Sequence, residues 1–207
     1  MQRRKAIAGF GLVTGGALFA ESSAAAAVNQ ASGGGSGRSP AARFPNVVLR
    51  THEDQSVHFY DDLVKGKVVL INFFFTSCTR ICPRTTANLV KVADVLGDRI
   101  GRDVFIVSIS IDPVADTPAA LRQYAASYKT KPGWVFVTGR QDHIDLIRRQ
   151  LGMIDDGPDK TQHTGVLVYG NEPMNFWGAT PILSEPRLIV RNVLKAVSYG
   201  SAALPSR

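Results

Sequence analysis

The sequence predicts an α/β fold: a central, mainly parallel sheet with helices on both faces and a short hairpin at its N-terminal edge. Three observations carry that expectation. Val68-Val69-Leu70-Ile71-Asn72-Phe73-Phe74-Phe75 is an apolar run with one polar residue, the pattern of a strand buried on both faces. Val104-Phe105-Ile106-Val107-Ser108-Ile109-Ser110-Ile111 is a second such run, broken only by two serines. Stretches with helical periodicity separate these runs from later ones, and such alternation builds a sheet covered on both sides.

Taken in order, residues 1–27 read as an export signal. Arg3-Arg4-Lys5 is a charged start, Ala6 to Ala20 is an uncharged apolar stretch, and Ala24-Ala25-Ala26 offers the small residues a signal peptidase needs. The paired arginines resemble a twin-arginine signal, which exports folded protein. The alternative is an uncleaved anchor that tethers the domain to a membrane, but the apolar stretch is short against the ~20 residues of a span. Either way the domain faces an oxidising compartment, the periplasm of a bacterium, on its own or held at the inner membrane. Residues 28–45 form a Gly/Ser/Ala-rich flexible linker around Gly33-Gly34-Gly35. Residues 46–200 are the folded domain and residues 201–207 a tail.

Within that domain, Asn46 to Thr51 and Ser56 to Tyr60 flank His52-Glu53-Asp54-Gln55 as a hairpin. Lys65-Gly66-Lys67 turns the chain into the first buried strand. The next helix aligns Cys82, Leu89, Val92, Ala93 and Leu96 and stops near Gly97. Asp112-Pro113-Val114-Ala115-Asp116-Thr117-Pro118 follows the second buried strand. Thr117 suits the cap of a helix and Pro118 its first position, with Asp112 and Asp116 shaping the loop. Trp134 to Thr138 is a third strand, Asp142 to Leu151 a helix, and Ile154 to Gln162 a polar loop. A fourth strand starts at His163 and runs to Tyr169. Asn171-Glu172 turns it into Met174 to Trp177, and Pro186 to Val197 is the last helix.

Composition bounds the function. The 207 residues are 44% hydrophobic and 20% charged, with a formal net charge of +7. Loss of the first 26 residues removes three positive charges and Glu21, leaving a basic domain at +5. The lysines and arginines are scattered and match no nucleic-acid motif, so nucleic acid is not expected as a partner.

The only two cysteines, Cys78 and Cys82, follow the first buried strand and precede a helix. A helix start presents unpaired N–H groups and partial positive charge, and both favour thiolate over thiol. Thiolates bind metals and attack disulfides. With a helical turn starting at Cys78, the two sulfurs would lie close enough to share a metal ion or to form a disulfide. A static structural disulfide is the blander outcome. His52 and His58 read as surface or strand histidines. His163 taken alone reads as a strand-end histidine, and Met174 as a core methionine that could add a soft ligand.

The strand, cysteine pair and helix match the active-site layout of thioredoxin-like folds. Cys78-Thr79-Arg80-Ile81-Cys82-Pro83 after Phe73-Phe74-Phe75-Thr76, Asp112-Pro113 with Asp116-Thr117-Pro118, and the lone His163 together resemble the Sco/SenC family. The resemblance covers roughly Pro45 to Val197. It implies a thioredoxin-like copper-binding protein that helps assemble the copper centre of cytochrome c oxidase. The implied metal ligands are Cys78, Cys82 and His163. In that family the histidine usually follows an aspartate, whereas here it follows Gln162. Two thiolates and an imidazole suit Cu(I) and, with a fourth ligand, Cu(II) or zinc. The expected partners are the oxidase subunit that carries the copper centre and other periplasmic copper or thiol-redox proteins. The competing function is a thiol–disulfide oxidoreductase that reduces partner cysteines before metal insertion, with Cys78 and Cys82 as the catalytic pair.

Overall fold

Among the described residues the chain forms seven strands and four α-helices. The structure is a computed structural model and describes residues 44–153 and 165–201. The strands are β1 (Val48–Thr51), β2 (Ser56–His58), β3 (Val68–Phe74), β4 (Val104–Ser110), β5 (Trp134–Gly139), β6 (Val166–Asn171) and β7 (Phe176–Pro181). The helices are α1 (Cys82–Leu96), α2 (Pro118–Ser127), α3 (Gln141–Gln150) and α4 (Pro186–Ser201). One sheet holds all seven strands in the order β2-β1-β5-β4-β3-β6-β7.

β3 and β4 occupy the middle of that order, and nearly every residue of both is buried. A strand buried at consecutive positions must have both faces covered, which explains its unbroken apolar run. The one polar residue in β3, Asn72, has a specific use. Its side-chain oxygen accepts from Ser108 Oγ at 2.7 Å, and Trp134 Nε1 donates to the same Ser108 oxygen at 2.9 Å. This satisfied chain fixes β3, β4 and β5 in one register, because a slip would strand polar groups in the core.

Parallel pairing is confined to β3–β4 and β4–β5, joined through α1 and α2. The remaining neighbours, including β1–β2 and β6–β7, pair antiparallel. The sheet is therefore mixed, and its parallel part is narrower than the sequence suggests. For β1–β2 and β6–β7 the reason is connection length: a short turn can only reverse a strand, whereas parallel strands need a crossover helix. α1 and α2 lie side by side, with Thr86 Oγ1 and Tyr124 OH 2.8 Å apart and Tyr124 packed on Phe74. α4 packs on α1 and β6.

Two boundaries move. Phe59 and Tyr60 leave the strand after His58 and enter a single π-helical turn, Phe59–Val64, that buries both rings. Phe44, within the stretch read as linker, is buried against Phe59, Tyr60 and Trp177, with ring centroids 6.4, 6.5 and 4.6 Å away. The packed domain thus starts two residues before the boundary at residue 46. Residues 1–43 and 202–207, and with them the signal and tail assignments, lie outside the described residues. Phe44→Ala is expected to cost about 3 kcal/mol of unfolding free energy, measured by urea denaturation. A change below about 0.5 kcal/mol would mean that the ring contributes no core packing.

Candidate metal and thiol site

β3 delivers the chain to the end of the sheet at Phe74, and the next eight residues build the site. Phe75 is still buried, and its carbonyl accepts from Cys78 N–H at 3.3 Å, closing a tight turn. The helix starts at Cys82, not at Cys78. Pro83 occupies the first turn, where its missing N–H costs nothing. The two cysteines are therefore not successive turns of one helix. Instead Cys82 N–H, at the start of α1, donates to Cys78 Sγ at 3.4 Å. The sulfur takes the place that a serine or aspartate oxygen has in an ordinary helix cap.

Neither cysteine is in a disulfide, and both are buried, Cys78 at 6% exposure and Cys82 at 0%. Their surroundings push them apart. Burial opposes ionisation of Cys78. The Cys82 thiol and the backbone N–H groups of Cys82, Arg80 and Ile81 outweigh it, and the Cys78 thiol sits below its ordinary value. For Cys82, burial comes first, then the hydrogen bond to Cys78 and the charges of Cys78 and Asp116. Together they push it up to about 12. Of the pair, Cys78 gives up its proton more readily and Cys82 holds its proton longer.

A carboxylate the sequence reading gave only a loop-shaping part sits behind this loop. Asp116 is fully buried. It accepts from Thr76 N–H at 3.1 and 3.3 Å, from Thr76 Oγ1 at 2.5 Å and from Ser110 Oγ at 2.5 Å. It does shape the loop after β4, and it also ties that loop to the cysteine turn. The only signal for this in the sequence is an aspartate six residues past a serine that ends a mostly apolar strand. Thr117 caps α2 as read, accepting from Ala120 N–H at 3.2 Å.

The structure separates other candidates from the site. His52 Nδ1 accepts from Phe136 N–H at 3.3 Å, and His58 lies 3.6 Å from Asp62. Neither is near the cysteines among the described contacts. Met174 lies in the β6–β7 turn. β6 runs antiparallel to β3 with Asn171 opposite Val68, so that turn is at the end of the sheet away from the cysteines. A soft ligand from Met174 is ruled out by that register. The same register brings the other end of β6 to the site. An added Cβ on Gly165 would come within 2.9 Å of Ile81 Cδ1, so the chain passes directly over the cysteine loop. His163 lies in 154–164, outside the described residues. Among the described residues no three His, Cys, Asp or Glu side chains cluster as a metal site.

A model of the SCO1/SenC family matches residues 48–198. The chain belongs to the SCO1/SenC family. The SCO1 protein homolog of Bacillus subtilis is 41% identical over 78 residues, covering 37% of this chain and 39% of that protein. Stretches matched to the SCO relatives span about two fifths of those proteins' own length. Among solved structures, a Sco-family cytochrome c oxidase assembly protein described with a disulfide switch is 26% identical. Its TM-score is 0.62, covering 73% of this chain and 91% of that one. Arabidopsis thaliana ScoI, solved with copper bound, is 24% identical at TM-score 0.60, covering 73% and 95%, and shares the fold. The thioredoxin-like architecture of the sheet and its helices is that of these SCO1/SenC structures.

At neutral pH, iodoacetamide is expected to alkylate Cys78 well before Cys82. The pH midpoint of the reaction should lie below the ~8.5 of a free thiol. Peptide mass mapping reads the site. Equal labelling, or a midpoint above that of free cysteine, contradicts the assigned asymmetry.

Proposed function

We propose that this SCO1/SenC protein is a copper metallochaperone. In this reading one Cu(I) is its cargo, held by Cys78, Cys82 and His163 and passed on during assembly of the cytochrome c oxidase copper centre. The observation that carries the proposal is the dithiol at the start of α1, with Cys82 N–H directed at Cys78 Sγ, against which the chain packs at Gly165, two residues past His163 in sequence. Two thiols in one turn are a soft donor pair, as Cu(I) requires. Gly165 packs on Ile81, and two residues of chain reach about 7 Å, so an imidazole at position 163 has the span to join them. Two sulfurs and one nitrogen leave an open side for transfer, whereas a structural zinc site wants four closed ligands. Copper in the Arabidopsis relative and oxidase assembly in the family of the 26%-identical neighbour support the same reading.

The asymmetry of the thiols supports a second activity at the same place. As a reductant, Cys78 thiolate attacks a partner's disulfide. Cys82 then gives up its proton, displaces the partner's sulfur and closes a Cys78–Cys82 disulfide, so two electrons pass to the partner. The disulfide described in the solved relative is in keeping with this. The disulfide form should not take copper, since a bridged sulfur is a poor ligand. We assign export to residues 1–27, with delivery to the periplasm. Among the described residues no helix is long and apolar enough to cross a membrane.

Anaerobic Cu(I) titration of the reduced protein is expected to saturate at one copper per chain. His163→Ala should lower affinity at least ten- to a hundredfold, about what loss of a mere ligand-orienting group costs elsewhere. Its unfolding midpoint and Cys78 alkylation rate should be unchanged. If His163→Ala retains full affinity, and cells carrying it keep oxidase activity under copper limitation while Cys78→Ser cells lose it, the reductase reading replaces the chaperone.

A further inference from the structure

The face of α4 away from the sheet carries a feature that copper binding does not use. α4, the C-terminal end of α1 and the start of β7 enclose a groove of about 740 Å³. Its apolar lining is Val95, Phe176, Val190 and Leu194. Val95 is 50% exposed, although it belongs to a helix whose other apolar residues are mostly buried. One wall of the groove is basic. Arg187, Arg191 and Lys195 recur every fourth residue of α4 and so form one stripe along its axis. All three are exposed, and none has an ion-pair partner among the described residues. Asp94, the nearby acid on α1, is engaged by Lys131 at 2.8 Å.

Charge decides what fits. A second copy meeting this face about a two-fold axis would set arginine against arginine. Residues 1–43 carry Arg3, Arg4, Lys5, Arg38 and Arg43 against a single acid, Glu21, and would be repelled as well. Residues 154–164 are acidic but contain one large apolar side chain, Ile154, and residues 202–207 contain Leu204 and no acidic side chain. A bilayer surface calls for apolar side chains that protrude, whereas here Val190 is buried, Phe176 and Leu194 are half-buried and Val95 alone is exposed. What remains is the complement of a basic-walled apolar groove. It is a helix with leucine-like residues on one side and carboxylates spaced every fourth residue beside them.

We propose that the α4 groove is a docking surface for an acidic amphipathic helix of a partner protein. Thirteen residues of α1 separate Val95 from Cys82, a rise of about 20 Å. A partner held there leaves the cysteine loop uncovered, so docking and exchange at the thiols can proceed together. The proposal does not rest on the copper reading.

The test uses the full chain and a labelled synthetic peptide of about five helical turns, with leucines on one face and glutamates every fourth residue beside them. Fluorescence anisotropy should show saturable, salt-sensitive binding to the wild-type protein. Arg187→Glu combined with Arg191→Glu should weaken it about tenfold or more, and Val95→Ser should weaken it at unchanged salt dependence. A companion peptide with lysine in place of glutamate should reject the wild type and bind the doubly reversed protein. All three substitutions lie at exposed positions, and Cys78 alkylation serves as the check that the fold and site are intact. Equal peptide binding to wild type and the double variant overturns the proposal. So does binding to phosphatidylglycerol vesicles, lost in the same variants, where the peptide does not bind.

Discussion

Asp116 accepts three hydrogen-bonding groups in the interior of the protein: the amide and hydroxyl of Thr76 and the hydroxyl of Ser110. A buried carboxylate is costly unless its lone pairs are filled, so this arrangement has little freedom. Filling them pins the turn after β3 to the loop after β4. The turn then has one way to reach α1, with Cys78 folded back under the first amide of the helix. The position of one sulfur relative to the other, on which metal capture and disulfide formation both depend, follows from a carboxylate 34 residues further along the chain than Cys82. The same negative charge is among the causes that keep the Cys82 proton in place.

The two thiols are thus unequal before any ligand arrives. The helix start stabilises charge on Cys78, and burial withholds it from Cys82. Binding a metal between them requires the second proton to leave, which couples capture to proton release. Closing a disulfide requires the same departure. In the proposed reading these are two mutually exclusive fates for one sulfur pair. A third ligand from the 154–164 segment is what would favour the first.

The features legible in the sequence were those set by local pattern. The runs 68–75 and 104–111 had to be buried strands because no half-exposed strand is apolar at consecutive positions. Thr117-Pro118 had to open a helix because its capping chemistry is contained in two adjacent residues. The cysteine pair announced itself by its place between strand and helix. What was not legible depends on contacts across the chain. The helix starts at Cys82 because Cys78 Sγ caps it, and spacing alone could not distinguish that from a turn begun four residues earlier. Asp116 looks like any loop aspartate until Thr76 is placed beside it. Phe44 looks like linker until Trp177 arrives from the far end of the sheet. Met174 looked available as a ligand until the β3–β6 register put it at the opposite end.

X-ray absorption at the copper edge of the anaerobically loaded protein tests the central claim most directly, since it reads the atoms that touch the metal. A three-coordinate first shell of two sulfurs and one imidazole nitrogen is expected, with the nitrogen lost in His163→Ala. A first shell with all nitrogen donors, with four sulfurs, or with an imidazole that persists in His163→Ala would contradict it.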